Sequence, residues 1–359
     1  MTDPISSPQD PKLDALCDTL RAMGPKLDRT GQWPQAQLEL LGTHGVYRWF
    51  LPAQQGGLGW SSPQTLLGLF KLSAACLTTT FILTQRVGAC RRIAASPNQA
   101  LHQKILPALL GPEYFVTVGI SQLTTSRQHL SKPAMAATRV SGGYQLSGVC
   151  PWVTGGAFAK YIVVGAVLPN AQQLLALVPT DQPGVEPADP MALTALGATH
   201  TGAVHLKAVF VPEDHVLEGP KSSVTGAGAG GLGTSALALG LACAAIDHVK
   251  DHAQRGQSSL TPLGQTLTQR LQTQLERMQA LAAQDHTADQ RAALRVAANT
   301  LCTDATTAAM LAARGAGFMA GRDPGRWCRE SLFFLVWSAP PEVTQAHIEA
   351  LGSREASKP

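Results

Sequence analysis

The stretch GGYQLSGVCPWVTGGAFAKYIVVGAV, Gly142 to Val167, decides how this chain is read. It opens on a glycine turn, Gly142-Gly143, and contains the short β-rich run GGYQLSG and all but the last residue of YIVVGAVL. FVTVGIS lies upstream, and QLLALVP and GAVHLKAVFVP lie downstream. Pro169-Asn170 marks a turn between two of these runs. The expectation is a β domain over residues 114–220.

Working outward, both flanks read as helical. From Leu13 to about residue 113, DALCDTLRAM and TLLGLFKLSAACL carry apolar residues three and four apart. Pro and Gly punctuate this region at Phe50–Gly59 and at Ser96-Pro97. Residues 1–12 are polar with three prolines and read as a loose tail. Residues 221–233 are a Gly-rich link, and 234–359 are helical again. Leu267, Leu271, Leu275, Met278 and Leu281 form one apolar stripe, which reads as bundle core rather than a cofactor box. Helices, then strands, then helices predict an α+β architecture, not an alternating α/β fold.

Composition narrows the function. Charged residues are only 14% and hydrophobic ones 45%, which argues against disorder. The net charge of +4 is small for 359 residues, and no basic-aromatic stripe appears, so nucleic acid is not an expected partner. No run reaches the roughly 18 apolar residues of a membrane span. The longest begins at Gly233 and stops at Asp247. The N-terminus has no secretory pattern. The seven cysteines are scattered, with no CxxC, as in a reducing cytoplasm.

Gly226, Gly228 and Gly231 spell GxGxxG, but no strand directly precedes them and only helices follow, so they read as a flexible link. The ten histidines form no HExxH and no zinc-spaced Cys/His set. There is no GxSxG elbow and no phosphate-binding P-loop.

Five segments in order carry a resemblance. FLPAQQGGLG (Phe50–Gly59) resembles the "vPeeyGGlG" signature of acyl-CoA dehydrogenases. QALHQKILPALLGPEYFVTVGIS resembles their "eeqKekyLPklasGe…a…T" stretch. The Gly142–Val167 stretch resembles "gGYvLnGtKxWITnGxxAdxyvvxA". LGATHTGAVHLKAVFVPEDHVL resembles the strand that closes the β domain, and ALGLACAAIDHVKDHAQR the first long bundle helix. The resemblance covers residues 35–350. It implies the acyl-CoA dehydrogenase-like fold: an N-terminal helical domain, a middle β domain and a C-terminal helical bundle.

It also implies a flavin, FAD by family habit with FMN as the alternative. Trp152, Val153 and Thr154 stand at the family's "WIT", where the indole packs on the ring and the threonine reaches its polar edge. Ser121 stands at the threonine of "LTEPxxGSD" and keeps a hydroxyl. Arg127 replaces the serine that meets the thioester, so it is a substrate-side residue able to meet an anion bidentately. The other reading of Arg127 is a solvated loop arginine. Arg255 is the nearest match to the arginine of "RxxFG", which meets the cofactor tail across a subunit boundary. It lies one residue off register. In the later "QxxGGxG[YF]" motif, Leu311 replaces the glutamine, and Arg314 is a candidate compensator.

The reaction of this family needs a carboxylate over the substrate α-carbon. Arg329 and Glu330 match the Arg-Asp of "RDAxixxIYEGTxEI" and Trp337 its aromatic residue. Ser338 replaces the glutamate. The family's other base position falls near Gly230, where no carboxylate exists. Serine is no base near neutral pH without an activator. Glu342 and His347 are the nearest substitutes in sequence.

Three readings follow from the resemblance. The first is a flavin-dependent acyl-CoA dehydrogenase-like protein with weakened or redirected chemistry on acyl-CoA or a related thioester. The second is a flavin-dependent monooxygenase on the same fold. The third is a non-catalytic subunit of a dehydrogenase complex. Electron-transfer flavoprotein or a flavin reductase is the implied redox partner, and a homo-oligomer, dimer or tetramer, the implied assembly.

Overall fold

A computed structural model describes residues 3–124, 132–225, 231–339 and 341–356. Five helices lead: α1 (Pro11–Thr30), α2 (Gln35–Thr43), α3 (Ser62–Ala75), α4 (Leu77–Ala95) and α5 (Gln99–Leu109). Local chemistry sets their ends. Asp10 caps α1 by accepting from the Lys12 N–H, Pro11 fits its first turn, and Gly31 closes it in the left-handed region. Ser61 and Gln64 form a capping box on α3. The segment before α1 is anchored, not loose. Ile5 is fully buried, and its N–H bonds the His44 carbonyl.

The β block is one eight-stranded sheet. Its strands are β1 (Val116–Gly119), β2 (Met135–Val140), β3 (Gly143–Thr154), β4 (Tyr161–Val167), β5 (Gln173–Pro179), β6 (Val185–Pro187), β7 (Thr201–Pro212) and β8 (Val216–Lys221). The order is β6-β7-β3-β2-β4-β5-β8, with β1 parallel to β4 and most other pairs antiparallel. A one-turn helix, α6 (Ser121–Thr124), follows β1. Among the described residues only the one-turn α6 and a short 3-10 turn lie between parallel-paired strands, with no long crossover helix, so the fold is α+β.

Five helices follow the sheet: α7 (Leu232–Gln254), α8 (Thr261–Ala283), α9 (Ala288–Ala313), α10 (Asp323–Val336) and α11 (Pro341–Ala356). Helix α7 is the central rod. It crosses α3 so closely that a Cβ on Gly240 would lie 2.4 Å from the Phe70 carbonyl. Ser73 ties the crossing by donating to the Leu237 carbonyl. By length and composition α7 could cross a membrane, but most of it is buried between α3, α8 and α9. The leading and trailing helices therefore share a single core, which includes Leu72, Ile82, Leu237 and Leu301. Leu267, Leu271, Met278 and Leu281 of the stripe belong to it. The sheet has its own core around Leu146, Val164 and Val204. A third cluster joins α4 and α5 to the sheet's other face.

Candidate functional site

The end of β3 shows why the Gly142–Val167 stretch matters. Cys150 pairs with Val204 and Val153 with Gly202, so Pro151 and Trp152 together oppose Ala203. This is a β-bulge, and Pro151, which has no N–H to give the ladder, fits it. The bulge turns Trp152 outward, and its side chain is 48% exposed on an otherwise buried strand end. A strand tryptophan in a β core would be covered on both faces, which this one is not.

The neighbours of Trp152 point the other way. Val153 is fully buried in the sheet core. Thr154 is buried too, and its hydroxyl shares a hydrogen bond with Thr201, which shares another with Thr199. At this position the side chains of Val153 and Thr154 hold the strand, and the indole is what the surface receives.

Ser121 lies beside this strand end. The Gly119 Cα faces Cys150 so closely that a Cβ there would meet its Sγ at 2.9 Å. Gln122 pins the turn by donating to the Gly119 and Gly165 carbonyls, at 2.9 and 2.7 Å. Ser121 Oγ, in the same turn, is buried and has no hydrogen-bond partner. An unpartnered buried hydroxyl is costly unless a ligand atom satisfies it. An exposed indole on the strand that packs against the turn of such a hydroxyl suits a flat heteroaromatic ring with a polar edge. Flavin is such a ring. Arg127 and residue 230 lie outside the described residues, as do Gly226 and Gly228.

Arg255 closes α7, largely exposed, and pairs with Asp251 at 3.0 Å. Leu311 and Phe318 of the matched "QxxGGxG[YF]" segment are 67% and 87% exposed. Arg314, at the C-terminus of α9, is exposed with φ of 54°. None of these touches the Trp152–Ser121 turn in the single chain.

Ser338 sits on an exposed turn after α10 with φ of 45°. Before it, Trp337 stacks on Phe333 at 5.1 Å and meets Phe81 of α4 edge-on at 4.9 Å. Arg329 donates to Asp28 of α1. Glu330 is buried near Arg326, and desolvation pushes its carboxyl up to about 7. It is eight residues before Ser338, about 12 Å along a helix, and serves the bundle rather than the turn. Glu342 is exposed on the first turn of α11.

Sequence reasoning missed what holds this turn. Arg295 of α9 is 5% exposed, with no carboxylate partner among the described residues. It donates to the carbonyls of Phe334 and Trp337 at 3.1 and 2.9 Å, and to Asn299 Oδ1. That bond fixes the Asn299 amide, whose Nδ2 donates to the Phe334 carbonyl and to His347 Nε2. His347 must then carry its proton on Nδ1. Burial, and then the charge of Arg295, hold its pKa below the ordinary value. One signal was available: Arg295 and Asn299 recur at helical spacing with the apolar Leu294, Ala298 and Cys302.

Comparison with known proteins adds the following. Residues 15–113 match the family described as acyl-CoA dehydrogenase, N-terminal domain. The chain is 24% identical over 248 residues to the probable acyl-CoA dehydrogenase YngJ of Bacillus subtilis, a match covering 64% of each protein. The matches span less than two thirds of the length of such curated relatives. Among solved structures, a glutaryl-CoA dehydrogenase from Mycobacterium smegmatis in complex with FADH2 aligns with a TM-score of 0.78 at 17% identity, covering 98% of this chain and 96% of that one. The dibenzothiophene monooxygenase of Paenibacillus sp. A11-2 aligns with a TM-score of 0.77 at 19% identity, covering 95% and 96%. At these identities the structural matches speak for the fold alone.

Proposed function

Because the chain belongs to the acyl-CoA dehydrogenase family, we propose that it is a flavin-dependent oxidoreductase of acyl-CoA or a related thioester, without the family's usual base. The observation that carries this is the exposed Trp152 on the strand whose Cys150 packs against the turn of the unpartnered Ser121 hydroxyl. FAD is the proposed flavin, with FMN as the alternative, and it would supply the two-electron acceptor. Trp152 offers the apolar face, Ser121 a hydroxyl to the polar edge, and the Thr154–Thr201–Thr199 chain keeps the strand end in place. Arg255 would meet the cofactor tail, and Arg127 an anionic group of the substrate. Ser338 occupies the base position and cannot take the α-proton. The missing carboxylate also favours a second reading, a flavin monooxygenase, which needs no such base. A non-catalytic subunit would show no flavin. Electron-transfer flavoprotein or a flavin reductase is the proposed redox partner, in the cytoplasm.

The test is to release and identify the bound flavin from the purified protein and from Trp152→Ala. Burying such a ring face is worth about 1.5–3 kcal/mol, so flavin affinity should fall tenfold or more in the variant. A colourless wild type would sink the proposal, and unchanged occupancy in the variant would remove Trp152 from the site.

We propose a homo-oligomer, dimer or tetramer, as well. Phe318, Val336 and Leu311 are 87%, 75% and 67% exposed on the turn after α9, on α10 and on α9, apolar side chains that a second copy would cover. Sedimentation should give at least twice 37.7 kDa, and Phe318→Asp should shift it toward the monomer. A stable wild-type monomer with full flavin content would contradict this.

A further inference from the structure

A cavity of about 370 Å³ lies where the C-terminal end of α4 meets β8. It is lined by Arg91, Arg92, Ser96, Pro97, Leu217 and Glu218, among others. On α4, Arg91 is ten residues from Phe81, about 15 Å along the helix. The cavity is therefore remote from the aromatic cluster beside Ser338.

Its donors outnumber its acceptors. Arg91 makes no hydrogen bond or ion pair among the described residues, and its guanidinium lies 5.7 Å from the Phe50 ring. Arg92 spends one N–H on the Gly88 carbonyl, 2.9 Å away, and has no carboxylate within ion-pair distance. Each guanidinium carries five donors. Ser96 is buried and accepts from the Asn98 N–H, so its own proton is free to donate. The one acid of the lining, Glu218, is already paired with Lys221. The lining thus holds two cations and one carboxylate, and Lys221, outside the lining, already neutralises that carboxylate. Arg91 is exposed at the cavity mouth and Arg92 is half-buried, and partial desolvation holds both below their ordinary pKa, with Glu218 a partial offset for Arg92.

Neutralising the C-terminal dipole of α4 would account for one cation in its last turn. It does not account for two arginines side by side with their donors unspent. We propose that this cavity binds a phosphate monoester. The two forks offer bidentate contacts to the phosphate oxygens, and a dianion matches the local excess of charge. The volume exceeds that of a bare phosphate, and Pro97, Val216 and Leu217 give the remainder apolar walls, as a ribose-sized group requires. The ester could be a free phosphometabolite or the 3′-phosphate of a CoA thioester. Only the second source rests on the function proposed above.

The experiment is calorimetric titration of the flavin-loaded protein with adenosine 3′,5′-bisphosphate, ribose 5-phosphate, inorganic phosphate, CoA and 3′-dephospho-CoA. Wild type should bind adenosine 3′,5′-bisphosphate saturably. Arg91→Ala should weaken it fivefold or more, and Arg91→Ala with Arg92→Ala at least fiftyfold. The single variant removes an exposed side chain with no hydrogen bond or ion pair among the described residues and only a 5.7 Å approach to the Phe50 ring, so its fold and flavin content should be unchanged. Competition by CoA but not by 3′-dephospho-CoA identifies the thioester as the source. Ribose 5-phosphate binding as tightly as the bisphosphate identifies a free ester. No saturable binding of any phosphate probe, or equal affinity in Arg91→Ala, overturns the proposal.

Discussion

Mixed without oxygen with a panel of saturated acyl-CoA thioesters, the wild-type protein is expected to leave its flavin absorbance almost unbleached. Dehydrogenation removes a proton from the α-carbon as the β-carbon gives up a hydride. A positioned base contributes roughly 10² to 10⁴-fold to such a step, and Ser338 cannot fill that role. Three titratable groups lie near this turn in sequence. Glu330 is too far back along α10 and faces Arg326. The Nε2 lone pair of His347 is spent on Asn299. Glu342 is exposed at the start of α11. Ser338→Glu should raise the bleaching rate at least tenfold. Ser338 already carries the Cβ strain of this positive φ, so the longer side chain adds little backbone cost. Because Ser338 is exposed, the new carboxylate should keep an ordinary pKa until a bound thioester dries the site, and then rise. Rapid stoichiometric bleaching of the wild type would falsify the missing-base argument. Glu342→Ala and His347→Ala would then show which residue supplies the base.

The fold was legible because its signals are local and repeated. Two turn glycines, five short β-rich runs and a helical stripe place strands between helices without any knowledge of packing. That the flanking helices share one core was not legible, because α3 and α7 are joined by contacts such as Ser73 to Leu237, across 164 residues. At the site, the residue types at Trp152, Thr154 and Ser121 could be read off a pattern, but their directions could not. A bulge at Pro151 decides that Trp152 faces out, and only the Thr201 and Thr199 hydroxyls show that Thr154 faces in. Pro151 inside a strand pattern was the one available hint. The Arg295 network escaped because its partners are main-chain carbonyls, which have no signature in sequence.

That network supplies the second large effect. Arg295→Leu should destabilise the protein by about 2–4 kcal/mol, since the Trp337 carbonyl and Asn299 Oδ1 lose the donors that now satisfy them. Thermal unfolding should move down by roughly 3–5 °C. Arg295→Lys should recover only part of this, because one ammonium on a flexible stem cannot span the two carbonyls and the amide together. The pH response carries the same signature. His347 titrates below its unfolded value of 6.5 in the folded protein, so its contribution to stability is complete above pH 6.5. It is lost as pH falls below 6.5 toward the folded value, where protonation takes away the lone pair that Asn299 uses. His347→Gln offers an uncharged acceptor in place of the imidazole and should flatten that part of the stability profile. Because Arg295 itself helps to hold His347 low, Arg295→Leu should raise the His347 pKa, which proton NMR of the imidazole can follow. An Arg295→Leu protein with unaltered melting and an unaltered His347 titration would show that α10 ends where it does without help from α9, and that Trp337 alone, wedged between Phe333 and Phe81, fixes the turn.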